Sequence, residues 1–131
     1  MAEEINNQDN LLPEVDLDFL KEKDFSYELQ NEGNRILLII KDYSLPDKFN
    51  PQKADLLVLI PSGYPNTPLD MFWTIPDIKL LNGNWPQAAD QHETYGGRSW
   101  QRWSRHGQWR AGIDTLKSFL TAVKNEINKG Y

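Results

Sequence analysis

The amino-acid sequence predicts an α+β fold in which a four-stranded antiparallel meander is flanked by two helices. Four apolar or alternating segments of strand length follow one another between residues 25 and 75, and turn signals separate them. A short apolar cluster precedes these segments, and a longer amphipathic pattern follows them near the C-terminus. Short connections favour pairing of sequential strands, so we expect the four strands to form a meander. In an α+β domain helices cover one face of such a sheet, so we expect both helices to pack on the same side.

The length and composition are those of a globular domain. The chain has 131 residues, which is enough for a single sizeable core. Hydrophobic residues make up 39% and charged residues 25%, so disorder throughout the chain is excluded. We expect the polar residues 1–10 to form a disordered arm and residues 11–131 to form a single domain.

The first helix and the first strand are predicted from the spacing of apolar residues. The apolar cluster within residues 17–20 suits one or two helical turns. Apolar and polar residues alternate over residues 25–30, which is the period of a half-buried strand. A turn at residues 31–34 contains Gly33, which can adopt a positive φ.

Three further strands complete the predicted meander. Residues 36–40 are continuously apolar and partly β-branched, which favours a buried central strand. Residues 54–60 form the next apolar strand. Three prolines in residues 61–68 disfavour both helix and strand, because proline lacks a donor and fixes φ. Residues 71–75, which include Phe72 and Trp73, form the fourth strand.

The C-terminal half contains one segment without periodicity and one helix. Residues 77–97 are punctuated by glycine and proline, so we expect a long irregular segment, of a kind that is often functional. Asp114 is a signal for the start of a helix. Apolar residues then recur three and four apart over residues 116–127, which indicates an amphipathic helix, and Gly130 is placed to end it.

The most unusual stretch is residues 98–110, which we call the Trp/Arg segment. It contains three of the five tryptophans and four of the five arginines, with no acidic residue, although the whole chain carries a net charge of −5. Tryptophan and arginine are enriched where proteins bind partners. The segment is therefore expected to be either the functional edge of the domain or a cover over its core.

Composition excludes several classes of site. A net charge of −5 argues against general nucleic-acid affinity, because neutralising phosphates requires a positive surface. The absence of cysteine removes disulfides, thiolate metal sites and cysteine nucleophiles. No signal peptide or bilayer-length apolar run is present, so we expect a cytoplasmic protein without membrane contact. We predict neither a metal site nor a cofactor.

Two sequence signatures resemble those of ubiquitin-conjugating (E2) proteins. Residues 60–73, IPSGYPNTPLDMFW, resemble the E2 strand-and-turn signature, in which a Tyr-Pro turn and a further proline precede an aromatic strand. Trp109, which lies shortly before a helix, resembles the tryptophan that follows the E2 active-site loop. More specifically, the chain is similar over about residues 11–128 to prokaryotic E2 family E, through Tyr64-Pro65, Asp70–Trp73, Trp100–His106, Trp109, Gly112 and Asp114.

The resemblance implies a UBC-like fold and a role in a bacterial ubiquitin-like conjugation pathway. The implied partners are an E1-like adenylating protein and a ubiquitin-like modifier. A metallopeptidase is often encoded nearby, and some such operons lie beside antiphage defence genes. An ordinary E2 carries its modifier as a thioester on a cysteine shortly before the tryptophan, and this chain has no cysteine. The His-Pro-Asn that precedes that cysteine is also absent, and residues 82–86 resemble it only loosely.

The first hypothesis for function is acyl transfer through an oxyester on a hydroxyl of the Trp/Arg segment. Ser104 is the first choice of nucleophile and Ser99 the second. A serine needs a base to remove its proton, and His106 is the nearest candidate in sequence. Residues two apart on a strand point to the same face, which would place Ser104 beside His106. Arg105 or Arg102 would then stabilise the developing oxyanion.

The second hypothesis is a catalytically inactive E2 variant that binds the modifier or its E1-like protein. Guanidinium groups suit an acidic patch or the modifier's C-terminal carboxylate. The predicted partner-binding residues are Arg98, Arg102, Trp103 and Arg110. An alternative for Trp100, Trp103 and Trp109 is that they fill core and loop-packing positions, with arginines stacked on them.

The third hypothesis belongs to a different class, a nucleic-acid-binding protein or nuclease. His92 and His106 would act as acid and base, and the tryptophans would stack on bases. The acidic charge balance argues against this hypothesis, and the histidines lack metal-ligand spacing with carboxylates.

Overall fold

The computed structural model describes residues 12–129. The disordered arm predicted for residues 1–10 and the helix end predicted at Gly130 lie outside the described residues. Within the described range there are two helices, α1 (Glu14–Glu22) and α2 (Leu116–Lys129). The strands are β1 (Tyr27–Glu32), β2 (Arg35–Ser44), β3 (Phe49–Asn50), β4 (Lys53–Pro61), β5 (Phe72–Ile75), β6 (Lys79–Leu80), β7 (Gln91–Tyr95) and β8 (Arg98–Trp103).

Six of the strands form one antiparallel sheet in the order β1-β2-β4-β5-β8-β7. Its first four members are the predicted meander, so the α+β fold class is confirmed. The sheet continues beyond β5, because β8 pairs with β5 and β7 with β8. The short strands β3 and β6 pair separately with each other.

The prediction that residues 77–97 contain no regular element is wrong. They include β6 and β7, and β7 forms a hairpin with β8, the first half of the Trp/Arg segment. The two-residue turn is Gly96-Gly97, with φ of 59° and 77°, which is the positive-φ conformation that favours glycine in tight hairpins. The apolar pattern missed β7 because this edge strand is mostly exposed and polar. Pairing with β8, rather than burial, holds it in place.

Both helices pack on the same face of the sheet, as predicted. Leu20 of α1 and Leu116 of α2 belong to the main buried cluster, together with Phe72 and Trp103. The Trp103 ring stacks on Phe72 with 5.3 Å between ring centroids and meets the edge of Phe49 at 6.0 Å. The apolar pattern over residues 116–127 therefore correctly predicts the side of α2 that faces the core.

The opposite face of the sheet carries a smaller buried cluster made of strand residues: Leu37, Ile39, Leu57, Trp73 and Trp100. Charged side chains lie over this cluster in place of a helix. The Arg98 guanidinium lies 4.9 Å from the centre of the Trp100 ring, and that of Arg35 lies 4.8 Å from Tyr95. We call this side of the sheet the open face.

A buried hydrogen-bond network ties α1 and α2 to the Tyr-Pro turn. The Tyr64 hydroxyl donates to Asp16 Oδ2 at 2.7 Å and accepts from the backbone N–H of Leu116, also at 2.7 Å. Burial raises the pKa of Asp16, and the hydrogen bonds from Tyr64 and Leu116 only partly oppose this rise. Burial and the bond to Asp16 also raise the pKa of Tyr64. The Tyr-Pro turn thus fixes the start of α2.

Over residues 12–129, neither helix has the length and apolar character that crossing a bilayer demands.

Candidate functional site

The Trp/Arg segment divides at Trp103, where β8 ends. Within β8, Gln101 and Trp103 face the helices, whereas Trp100 and Arg102 face the other way, because successive strand residues alternate. The Gln101 side chain is fully buried and bonds to the segment that connects β5 to β7. Its amide donates to the carbonyls of Ile78 and Ala89 at 2.9 Å each, and its oxygen accepts from the Ile78 N–H and the Thr74 hydroxyl.

Ser104 is the first residue beyond β8. Its backbone N–H donates to the carbonyl of Ala88 at 3.0 Å, which fixes the chain as it leaves the sheet. Its hydroxyl oxygen lies 3.3 Å from His106 Nε2. The structure therefore brings the two predicted residues together, although they meet in a loop rather than along a strand.

Asp70 extends this pair on the far side of the imidazole. His106 Nδ1 lies 3.0 Å from Asp70 Oδ1 and 3.2 Å from Oδ2. A carboxylate at Nδ1 favours the tautomer that carries its proton there, which leaves Nε2 as the acceptor for a hydroxyl proton. The three side chains thus form a hydroxyl–imidazole–carboxylate series of the kind used in nucleophilic acyl transfer.

Sequence reasoning missed Asp70, and a usable signal did exist. Phe72 in β5 is the register partner of Trp103 in β8. In an antiparallel pair, the residues just before one strand lie beside the residues just after the other. Once β5 and β8 are known to pair, Asp70 and Ser104 are therefore expected at the same edge of the sheet. The pairing itself was not predicted, because the predicted meander ends at residue 75 and includes no strand over residues 98–103.

Arg105 holds this loop against α2. Its Nε lies 3.2 Å from Glu126 Oε1, and its Nη1 donates to the carbonyl of Gln87. The guanidinium also lies 5.5 Å from the centre of the Trp103 ring. These contacts fix the loop against α2 and keep a positive charge close to Ser104, whose carbonyl accepts from Arg105 Nη1 at 3.3 Å.

Two cavities meet at His106. A polar cleft of about 300 Å³ is lined by Ser104, Arg105 and Lys129, and a smaller cavity of about 110 Å³ is lined mainly by apolar side chains. The lining of the smaller cavity includes Leu69, Phe72, Trp109, Phe119 and Val123. His106 lines both cavities, so polar and apolar surfaces meet beside its imidazole.

Trp109 and Arg110 fix the far end of the loop. The Trp109 indole N–H donates to the carbonyl of Pro65 at 2.9 Å, and its ring packs on Tyr64 with 6.1 Å between centroids. The Arg110 guanidinium lies 3.2 Å from Asp114 Oδ1, and its backbone N–H donates to Oδ2 at 2.7 Å. These two contacts lower the pKa of Asp114 to about 2. The Asp114 carboxylate thus bonds to Arg110 in the loop before α2 and does not cap the helix directly.

The predicted partner-binding residues do not lie together. Arg98 and Arg102 lie on the open face, where Arg98 Nη2 is 3.8 Å from Asp55 Oδ2 and Arg102 Nη1 is 3.0 Å from Glu93 Oε2. Arg110 lies at the other end of the segment, with 65% of its side chain exposed.

The prediction that Trp103 binds a partner is corrected by its position in the structure. Its side chain is fully buried, and its indole N–H donates to the Thr74 hydroxyl at 2.9 Å. A side chain in this position fills the core, which is the alternative considered for the tryptophans, and Trp100 is also fully buried.

The remaining candidate residues lie away from Ser104 and His106. Ser99 is an exposed residue near the other end of β8, where its register partner is Thr94. His92 Nε2 lies 2.7 Å from Asp77 Oδ1, and its ring meets that of Trp85. His92 and His106 thus have separate carboxylate partners, so the geometry does not support their joint action as acid and base. Among residues 12–129, no three His, Asp or Glu side chains form a group that could hold a metal ion.

Comparison with known proteins agrees with the resemblance seen in the sequence. The family model of prokaryotic E2 family E matches residues 12–130. That range contains both helices, all eight described strands and the loop that carries Ser104 and His106. No curated protein and no solved structure matches the chain.

Proposed function

This chain belongs to prokaryotic E2 family E, and we propose from that premise that it is the E2-like component of a bacterial ubiquitin-like conjugation pathway. It accepts the modifier from an E1-like adenylating protein and carries it as an oxyester on Ser104. In this role it is an acyl carrier or transferase without a catalytic cysteine. The observation that carries the proposal is the 3.3 Å approach of the Ser104 hydroxyl to His106 Nε2.

The proposed loading step uses groups that the loop places together. His106 Nε2 takes the proton of the Ser104 hydroxyl as the oxygen attacks the activated carbonyl carbon of the modifier's C-terminus. A new C–O bond forms, the bond from that carbon to its leaving group breaks, and the leaving group departs with the proton from His106 or as an anion. Arg105 provides positive charge beside the developing oxyanion.

The proposed transfer step reverses the same chemistry. An acceptor amine attacks the ester carbonyl and loses a proton to His106 Nε2, the C–O bond to Ser104 breaks, and the serine oxygen takes that proton from His106. The product is an amide of the modifier. Both steps need His106 Nε2 free to accept a proton, which the Asp70 contact at Nδ1 favours.

The test is incubation of the protein with an E1-like protein and a ubiquitin-like modifier encoded beside it, together with ATP. We expect a covalent modifier adduct that survives thiol reductant and is cleaved by hydroxylamine or mild base. Ser104→Ala is expected to abolish the adduct, while the matched control Ser99→Ala, an exposed serine of the same segment, retains it. An adduct that persists in Ser104→Ala would show that the nucleophile is a different residue.

The absence of cysteine also supports a second candidate, an inactive E2 variant that positions the modifier or its E1-like protein. In this case the exposed guanidinium of Arg110, together with Arg98 and Arg102 on the open face, contacts acidic groups of a partner. The same incubation separates the two candidates. Co-elution with the modifier or the E1-like protein without any adduct favours the scaffold, and Arg110→Ala then weakens the co-elution.

A further inference from the structure

We infer that the series Ser104–His106–Asp70 is also a hydrolytic site, which cleaves acyl esters with water and discharges the acyl group that Ser104 carries. The ester hydrolysis stands on the geometry of the loop alone. Only its consequence for a bound modifier rests on the proposed function.

The first support is the order of the three groups. The Asp70 carboxylate contacts His106 Nδ1 at 3.0 Å, and His106 Nε2 faces the Ser104 hydroxyl at 3.3 Å. A histidine held in this way serves as base toward the serine and afterwards as acid toward the leaving group. Asp70 touches neither substrate nor reacting atoms in this scheme, so it is a positioning residue.

The second support is that the site is open to water. The His106 side chain is 64% exposed and that of Asp70 is 49% exposed. Once Ser104 is acylated, its oxygen has no proton to donate, and Nε2 is available to accept a proton from water instead. The base that loads the serine is therefore also placed to activate the water that unloads it.

Hydrolysis needs no reagent beyond water. His106 Nε2 takes one proton of a water molecule while the water oxygen forms a bond to the acyl carbon. The bond from that carbon to Ser104 Oγ then breaks, and the serine oxygen takes the proton from His106. The products are a carboxylic acid and the original serine, and no group is oxidised or reduced.

The charges of the polar cleft suit this step. Arg105 and Lys129 line the cleft together with Ser104, and both approach Glu126, at 3.2 Å and 2.7 Å respectively. The shared carboxylate of Glu126 also lines the cleft and holds both cations beside it. In the proposed step these cations oppose the negative charge that develops on the acyl oxygen.

The consequence for the proposed function is a short-lived adduct. A modifier on Ser104 is lost to water unless an acceptor or a covering partner reaches it first. The protein thus discharges modifiers that find no acceptor.

The test is hydrolysis of p-nitrophenyl acetate by the purified full chain. We expect saturable release of nitrophenolate that Ser104→Ala reduces to the level of buffer and His106→Ala reduces about a hundredfold. Asp70→Asn should lower kcat by roughly tenfold or more and leave KM unchanged, with partial recovery in Asp70→Glu. The kcat–KM split separates positioning from a merely structural effect, and thermal unfolding of each variant checks the fold.

The chain offers a matched control in His92 and Asp77, a second exposed His–Asp pair to which no serine hydroxyl bonds within residues 12–129. His92→Ala and Asp77→Asn should leave the rate unchanged, which excludes general catalysis by surface imidazole. Equal losses in the His92 and His106 variants overturn the inference, as does full activity in Ser104→Ala.

The failure of this inference and of the proposed function are distinguishable. An adduct with the modifier that forms normally and does not decay in buffer overturns the hydrolysis while supporting the carrier. Ester hydrolysis that depends on Ser104, with neither a modifier adduct nor Ser104-dependent consumption of ATP by the E1-like protein, supports the hydrolytic site and overturns the carrier, because each cycle of loading and hydrolysis would consume ATP.

Discussion

The two halves of the Trp/Arg segment differ in almost every physical respect. Residues 98–103 form β8, bury Trp100 and Trp103 completely, and pair their arginines with carboxylates on the open face. Residues 104–110 leave the sheet and present an exposed imidazole and a half-buried hydroxyl. The buried tryptophans of the first half belong to the core, whereas Ser104 and His106, just beyond the end of the strand, are the residues on which the proposed function rests.

The largest effect expected to sharpen this comparison is in the core of the first half. Trp103→Ala should lower the free energy of unfolding by about 3–5 kcal/mol, because it empties a site packed against Phe72 and Phe49. Denaturant unfolding measures the loss. A cost below about 1 kcal/mol would mean that Trp103 is not a core residue.

Gln101→Leu tests the polar anchor of the same half. The leucine has a similar volume but cannot bond the carbonyls of Ile78 and Ala89 or the N–H of Ile78. Leaving such buried groups without partners should cost about 3 kcal/mol. The measurement is again denaturant unfolding, and a loss below about 1 kcal/mol would mean that these hydrogen bonds do not stabilise the fold.

A smaller, pH-dependent effect on stability is expected where Arg110, the last residue of the second half, pairs with Asp114. The Asp114 pKa is lowered to about 2, mainly by the Arg110 side chain, so the folded form binds the proton less readily than the unfolded chain does. The contribution of Asp114 to stability is therefore present above its unfolded pKa, near 3.8, and is lost as the pH falls towards 2. In Asp114→Asn, the melting temperature should be lowered at pH 7, and the difference from the original chain should shrink towards pH 2. A difference that is the same at both pH values would contradict this assignment.

The smallest effect on stability should come from the proposed nucleophile itself. Ser104→Ala removes a hydroxyl whose bond is to a mostly exposed imidazole, so the free energy of unfolding should change by no more than about 0.5 kcal/mol. A loss comparable to that of Gln101→Leu would make Ser104 a structural residue and remove the contrast between the two halves.

How far the sequence predicts this molecule depends on how each element is stabilised. The helices and the first four strands bury apolar faces, so the period of those residues reveals them. The edge strand β7 is held by pairing through Gly96-Gly97, and polar strands of this kind leave no apolar pattern. The contact between Ser104 and His106 was predicted from the spacing of a strand, but it forms in a loop, where that spacing does not apply. The contact with Asp70 was not predicted, because only the register between β5 and β8 brings Asp70 there.

The register of Phe72 with Trp103 has a consequence for folding kinetics. Asp70 lies shortly before Phe72, and Ser104 follows Trp103. The series Ser104–His106–Asp70 therefore does not form until β5 and β8 have paired. Contacts of such sequence separation pay their loop entropy before they gain stability. If Ser104 is the nucleophile that we propose, covalent labelling of Ser104 by a serine-reactive probe during refolding would therefore report the moment at which β5 and β8 pair.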